Sequence, residues 1–160
     1  MFSFITAICK KPEVEKKVME DDLKLAEKEM VDRIKKHEGL RLKPYHCPAG
    51  KLTIGYGRNI EDNGISQSTA DQMLAEDVAQ CTKELFENYP WTKDLSPRRR
   101  CVLIEMVFNM GIARFKQFKN MLWACQTGDF EKASMEALNS NWHKQVGKRA
   151  ETLAKVLMEG

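Results

Sequence analysis

Glu38, Cys47 and Thr53 set an acid, a thiol and a hydroxyl within one short stretch, "HEGLRLKPYHCPAGKLTIGYG". Glu38 falls on the last turn of a helical segment. The negative end of the helix dipole disfavours an ionised carboxylate there, and any burial acts the same way. Both effects raise its pKa, as a general acid working near neutral pH requires. Thr53 stands in an alternating, strand-like run, and Cys47 stands at the turn leading into it. Taken singly each has a plainer reading: a surface acid, a small buried thiol, a sheet threonine. Their joint spacing is what calls for a shared site.

The elements that must position them follow from periodicity. From Pro12 to Lys36 the chain is dense in Lys and Glu, and Met19, Leu23, Ala26, Met30 and Ile34 recur at steps of three and four. That pattern predicts one stripe on a helix, stopping near Gly39, with its charged early part a solvated extension. In "KLTIGYG", Leu52, Ile54 and Tyr56 alternate with Thr53, Gly55 and Gly57. The alternation predicts a strand whose second face is bare, with Tyr56 turned to the core. Paired glycines there suit a bulky ligand approaching the backbone, a bulge, or tight packing against a helix. "CPAGK" and "NIEDNGIS" read as turns, so a hairpin or three-stranded sheet is expected.

Ser66 is placed to cap a long helix carrying Leu74, Val78, Cys81 and Leu85 on one side. Ser96 and Pro97 start the next, "RRRCVLIEMVFNMG", whose apolar centre predicts burial all round until Gly111 stops it. Shorter helices are expected over 115–126, 129–139 and 147–158. The class is α+β: a small mixed amino-terminal lobe, a long connecting helix and an all-helical carboxy-terminal lobe, with a cleft between the lobes for ligand.

Composition narrows the functions. With 42% hydrophobic and 31% charged residues the chain reads as an ordinary soluble protein. A net charge of +3 suits an anionic wall polymer but is too small to argue for nucleic acid. The five cysteines form no CxxC pair and meet no histidine doublet, so neither metal nor cofactor is expected. Cys81, Cys101 and Cys125 fall on apolar helix faces and read as buried thiols in a reducing compartment. Trp91, Trp123 and Trp142 read as packing residues, and His37, His46 and His143 receive no role. "MFSFITAICKK" is too short to span a bilayer or serve as an ordinary signal peptide, so no stable membrane insertion is expected.

Glu-x8-Cys-x5-Thr followed by "TIGYG" resembles the active-site signature of phage-type lysozymes, glycoside hydrolase family 24, in a variant with Cys where most members carry Asp. "RRRCVLIEMVFNMG" resembles the central helix of that family, and "NSNWHKQVGKRA" its Trp…Gln…Arg-Ala segment. The resemblance covers residues 31–158. It implies a lysozyme-like muramidase domain over 31–160, with 1–30 a charged, largely helical extension.

It further implies hydrolysis of the β-1,4 bond between N-acetylmuramic acid and N-acetylglucosamine, with peptidoglycan glycan strands as the partner of a monomer. By position, Glu38 would protonate the glycosidic oxygen, Thr53 would help place the attacking water, and Cys47 would stand for the usual carboxylate. Gly57, Asn59 and Phe108 would contact substrate, and Arg149 would support the acid. A free thiol titrates near ~8.5, so Cys47 carries a negative charge only if cations such as Lys43 or Arg58 lower that value. Met121 and Glu136 replace polar and amide residues that often touch the glycan.

The expected setting is the host bacterial cytoplasm, with action in the periplasm after holin-type release. A pairing of Cys9 with Cys47 is a further arrangement the resemblance brings. A non-catalytic wall- or partner-binding module and a lytic transglycosylase are the alternatives on the same fold.

Overall fold

The computed structural model describes residues 11–160, in two units, one ending at Ile65 and one from Ser66 to Gly160. The Cys9 pairing and the reading of "MFSFITAICKK" lie outside the described residues.

The first unit opens with α1, Lys11–Glu38, unbroken through residue 30. Its Lys, Glu, Leu and Met are strong helix formers, and Lys35, Lys36 and His37 in the last turn complement the carbonyl end. Gly39, at φ +68°, closes it by donating its N–H to the Lys35 carbonyl at 3.1 Å. The expected stripe is present, but Met19, Leu23, Met30 and Ile34 are exposed. Among the described residues, short strands and one short helix are all that accompany α1 in its unit, too little apolar surface to cover a 28-residue helix.

The sheet is antiparallel in the order β1 (Arg41–His46), β2 (Leu52–Gly55), β3 (Arg58–Asn59). Tyr45 pairs with Thr53 and His46 with Leu52, and the register slips between Arg41 and Tyr45. Pro44, which has no N–H to give a ladder, lies in that interval. Thr53 pairs with Asn59 across β2 and β3.

The bare face expected through Gly57 is corrected here. β2 ends at Gly55, and Gly55-Tyr56-Gly57 is a three-residue hairpin loop with both glycines at positive φ, +68° and +79°. Tyr56 leaves the core with it: the ring is exposed and sits under the Lys35 ammonium at 5.9 Å. The segment read as a second turn holds a one-turn helix, α2 (Ile60–Asn63), capped by Asn59.

The second unit is helical throughout its described elements: α3 (Gln67–Asn88), a 3-10 turn (Pro90–Asp94), α4 (Pro97–Met110), α5 (Ile112–Phe115), α6 (Lys119–Thr127), α7 (Phe130–Leu138), α8 (Asn141–Val146) and α9 (Lys148–Glu159). Ser66, Ser96, Asp129 and Ser140 each accept a backbone N–H at the start of α3, α4, α7 and α8. The core is built from Leu85, Leu103, Met106, Val107, Phe115, Met121 and Leu157, with α7 against α6 and α9, and α4 against α3 and α9.

Several burial expectations change. α4 is not buried all round: Cys101, Glu105 and Phe108 form an exposed stripe. In α3 Leu85 is buried and Cys81 half-buried, while Leu74 and Val78 are exposed, because only the carboxy-terminal half meets the bundle. Cys125 is the buried thiol, held up to about 12 by that burial. Trp142 is buried and Trp91 half-buried, but Trp123 is exposed beneath Lys132. No described helix is long and apolar enough to cross a membrane, and no cluster of metal-ligating side chains occurs among the described residues.

Candidate active site

Cys47 begins the loop that joins β1 to β2. Its carbonyl accepts the Gly50 N–H at 2.8 Å, and its own N–H donates to the Lys51 carbonyl at 3.0 Å. Pro48 presets the first bend and Gly50, at φ +78°, completes it. This folding turns backbone donors inward. The Lys51 and Ala49 N–H groups point at the Cys47 sulfur and lower the thiol's pKa, the Lys51 N–H contributing most. A smaller contribution comes from the Thr53 hydroxyl.

Thr53 is the one buried residue described in the first unit, 2% exposed. Its hydroxyl donates to the Lys51 carbonyl at 2.9 Å. The same proton can turn to the sulfur when Cys47 ionises, so thiol and hydroxyl are coupled through the backbone of one residue, Lys51. Lys51 itself is held by Asp62 (2.9 Å) and Glu61 (3.1 Å), which raise its pKa, with a further push from Cys47.

Glu38 ends α1 exposed to solvent. Its carboxylate rests against the second hairpin loop: Oε2 lies 3.2 Å from where a Cβ on Gly57 would stand. Gly57 therefore does allow close approach, but by the protein's own acid and not from a strand face. Asn59, two residues on, uses its side chain to cap α2, accepting the Asp62 N–H at 3.0 Å and donating to Asp62 Oδ2 at 2.9 Å. Of the expected cations, Arg58 turns away from Cys47, its Nε donating to the Gly64 carbonyl at 2.8 Å.

The structure thus brings Glu38, Cys47, Thr53, Gly57 and Asn59 into the first unit, linked by two hairpin loops. Phe108 and Arg149 belong to the second. Phe108 is exposed on α4, and Arg149 on α9 pairs with Glu105 at 3.6 Å beside a cavity of about 500 Å³. A second cavity there, about 740 Å³, is lined by Met121, Glu136, Asn120 and Trp142, among others. The residues that sequence reasoning missed are Lys51, Glu61 and Asp62. The one signal for the two acids was Asn59 with Glu61 and Asp62 two and three residues on, which reads as a helix start once α2 is recognised.

The phage lysozyme family model matches residues 35–156, a span that begins inside α1 and takes in every residue just described. The chain belongs to the phage lysozyme family. This is a family of glycosidase-type hydrolases, and the small antiparallel sheet and helical remainder are its α+β, lysozyme-like fold. Among curated relatives, an endolysin of Acyrthosiphon pisum secondary endosymbiont phage 1 is 38% identical over 72% of this chain and 80% of its own length. The pre-baseplate central spike protein Gp5 of Enterobacteria phage T4 is 26% identical over 82% of this chain but only 28% of that protein. A probable T4-type lysozyme of Dictyostelium discoideum is 26% identical over 81% of this chain and 93% of its own length.

Proposed function

We propose that the chain is an endolysin muramidase of glycoside hydrolase family 24, with a Glu-Cys-Thr active site, hydrolysing the β-1,4 bond between N-acetylmuramic acid and N-acetylglucosamine. The observation that carries this reading is the Lys51 carbonyl, which accepts both the Cys47 N–H and the Thr53 hydroxyl in the unit that also holds Glu38. Glu38 protonates the leaving glycosidic oxygen. Cys47, as thiolate, supplies the negative charge that offsets the oxocarbenium-like transition state, and backbone N–H groups favour that form without a second carboxylate. Thr53 helps place the attacking water beside that sulfur. Gly57 and Asn59 contact the glycan from the same unit.

The chain acts as a monomer on peptidoglycan in the periplasm after holin-type release from the host cytoplasm, and its role is host lysis. Clearing of chloroform-treated Gram-negative cells tests the activity, with Glu38→Gln as control. Wild type is expected to clear them and the variant to fail. Mass spectrometry of digested wall is expected to show reducing ends. Anhydro-sugar ends would make it a lytic transglycosylase, and binding without cleavage a wall-binding module.

A further inference from the structure

The Cys47 loop could hold its shape by backbone bonds alone, yet Lys51 is tied from its far end as well. Its ammonium meets Glu61 Oε1 at 3.1 Å and Asp62 Oδ1 at 2.9 Å. Each acid is fixed in turn. The second Glu61 oxygen accepts the Leu52 N–H at 3.1 Å, and the second Asp62 oxygen accepts from Asn59 Nδ2 at 2.9 Å. An isolated exposed ion pair contributes little, since two long side chains must be ordered for it. Here both carboxylates are already ordered by other bonds, so that cost falls.

The network closes on itself: Asn59 pairs with Thr53 across the sheet, and Thr53 donates to the Lys51 carbonyl. Among the described residues, Lys51 is the only one in it that touches both Cys47 and Thr53 through its backbone and α2 through its side chain. Other charged or titratable groups on the packed elements are Arg41, Lys43, Tyr45 and His46 on β1, Arg41 lying over the Tyr45 ring, and Arg58 on β3, whose guanidinium is engaged with Gly64.

We propose that Lys51 is a positioning residue for the reaction: tethered to α2 by Glu61 and Asp62, it holds the peptide that sets Cys47 and Thr53 relative to each other. This rests on the muramidase reading for its kinetic consequence only. Two independent readouts test it in the full chain. Alkylation of Cys47 by iodoacetamide, followed by mass spectrometry of its peptide across pH, reports the thiol's surroundings without any substrate. Steady-state cleavage of purified peptidoglycan reports the rest.

Lys51→Met, which keeps the stem and drops the ammonium, is expected to move the alkylation midpoint up by about half a pH unit. It is expected to lower kcat about tenfold, with KM hardly changed. Lys51→Arg is expected to restore both. An unchanged midpoint and kcat in a folded Lys51→Met variant overturn the proposal. If that variant does not fold, Glu61→Gln takes its place, leaving Lys51 intact with one tie cut. A smaller shift of the same sign supports the proposal, and none overturns it. Wild type that cleaves no wall but shows the Lys51-dependent midpoint would sink the muramidase reading and leave the positioning role standing.

Discussion

The Glu38 carboxylate lies against the backbone of Gly57, its Oε2 3.2 Å from the position a Cβ would take. The end of α1 and the loop between β2 and β3 are thereby fitted to each other, and the fit depends on a residue with no side chain.

Gly57→Ala is expected to lower wall-cleaving activity, because the new methyl group and the carboxylate cannot both keep their places. Gly55→Ala is the matched control, for it too has positive φ but open space around its Cβ. Each should lose about 1–2 kcal/mol to left-handed backbone strain. Denaturation midpoints for both, beside turbidity assays, separate the two effects: equal activity in the pair would mean the Glu38 contact is idle.

Backbone N–H groups of Lys51 and Ala49 hold the Cys47 thiol below its ordinary value. Between that lowered value and the ordinary ~8.5, the unfolded chain binds the extra proton, so stability rises with pH across this window. The contribution is complete above the ordinary value and is lost as pH falls through the folded one. Cys47→Ser should flatten that rise, which urea midpoints taken through the window for both proteins would reveal.

Cys125 behaves in the opposite sense. Burial pushes it up to about 12, so above the ordinary thiol value the unfolded chain ionises first and stability is lost toward pH 12. Cys125→Ala should cost about 1 kcal/mol at neutral pH by leaving a small cavity, yet show a shallower alkaline decline. Parallel slopes for the two proteins in alkaline melting curves would refute the assignment.

Arg99 secures the end of the chain. Its guanidinium stacks on Phe130 at 3.6 Å and donates to the Leu157 and Met158 carbonyls at 2.9 and 3.0 Å. Arg99→Met should destabilise the protein by about 2 kcal/mol in chemical denaturation. Arg99→Lys should recover only part of this, since an ammonium cannot stack and donate twice in one plane.

Local signals in the chain located its elements well. Ser66, Ser96 and Asp129 marked helix starts because a cap needs only a side-chain oxygen and the next turn's N–H groups. Ser140 carried the same signal for α8, where sequence reasoning passed over it. Glycine was harder to read. The alternation in "KLTIGYG" spoke for a strand, but what matters at Gly55 and Gly57 is the sign of φ, and residue spacing cannot reveal that. Burial was likewise overcalled on α4 and at Tyr56, since an apolar side chain is covered only where another element reaches it.

By itself the sequence determined the helix caps and the α+β class and put forward the trio Glu38, Cys47 and Thr53, because each depends on residue type and short-range spacing. Only the tertiary structure decided that Glu38 rests on Gly57, that Arg58 faces Gly64, and that Lys51 is tethered to α2 beneath Cys47 and Thr53. Those relationships join residues six or more apart through strand register and loop geometry. Neither is written in any local pattern.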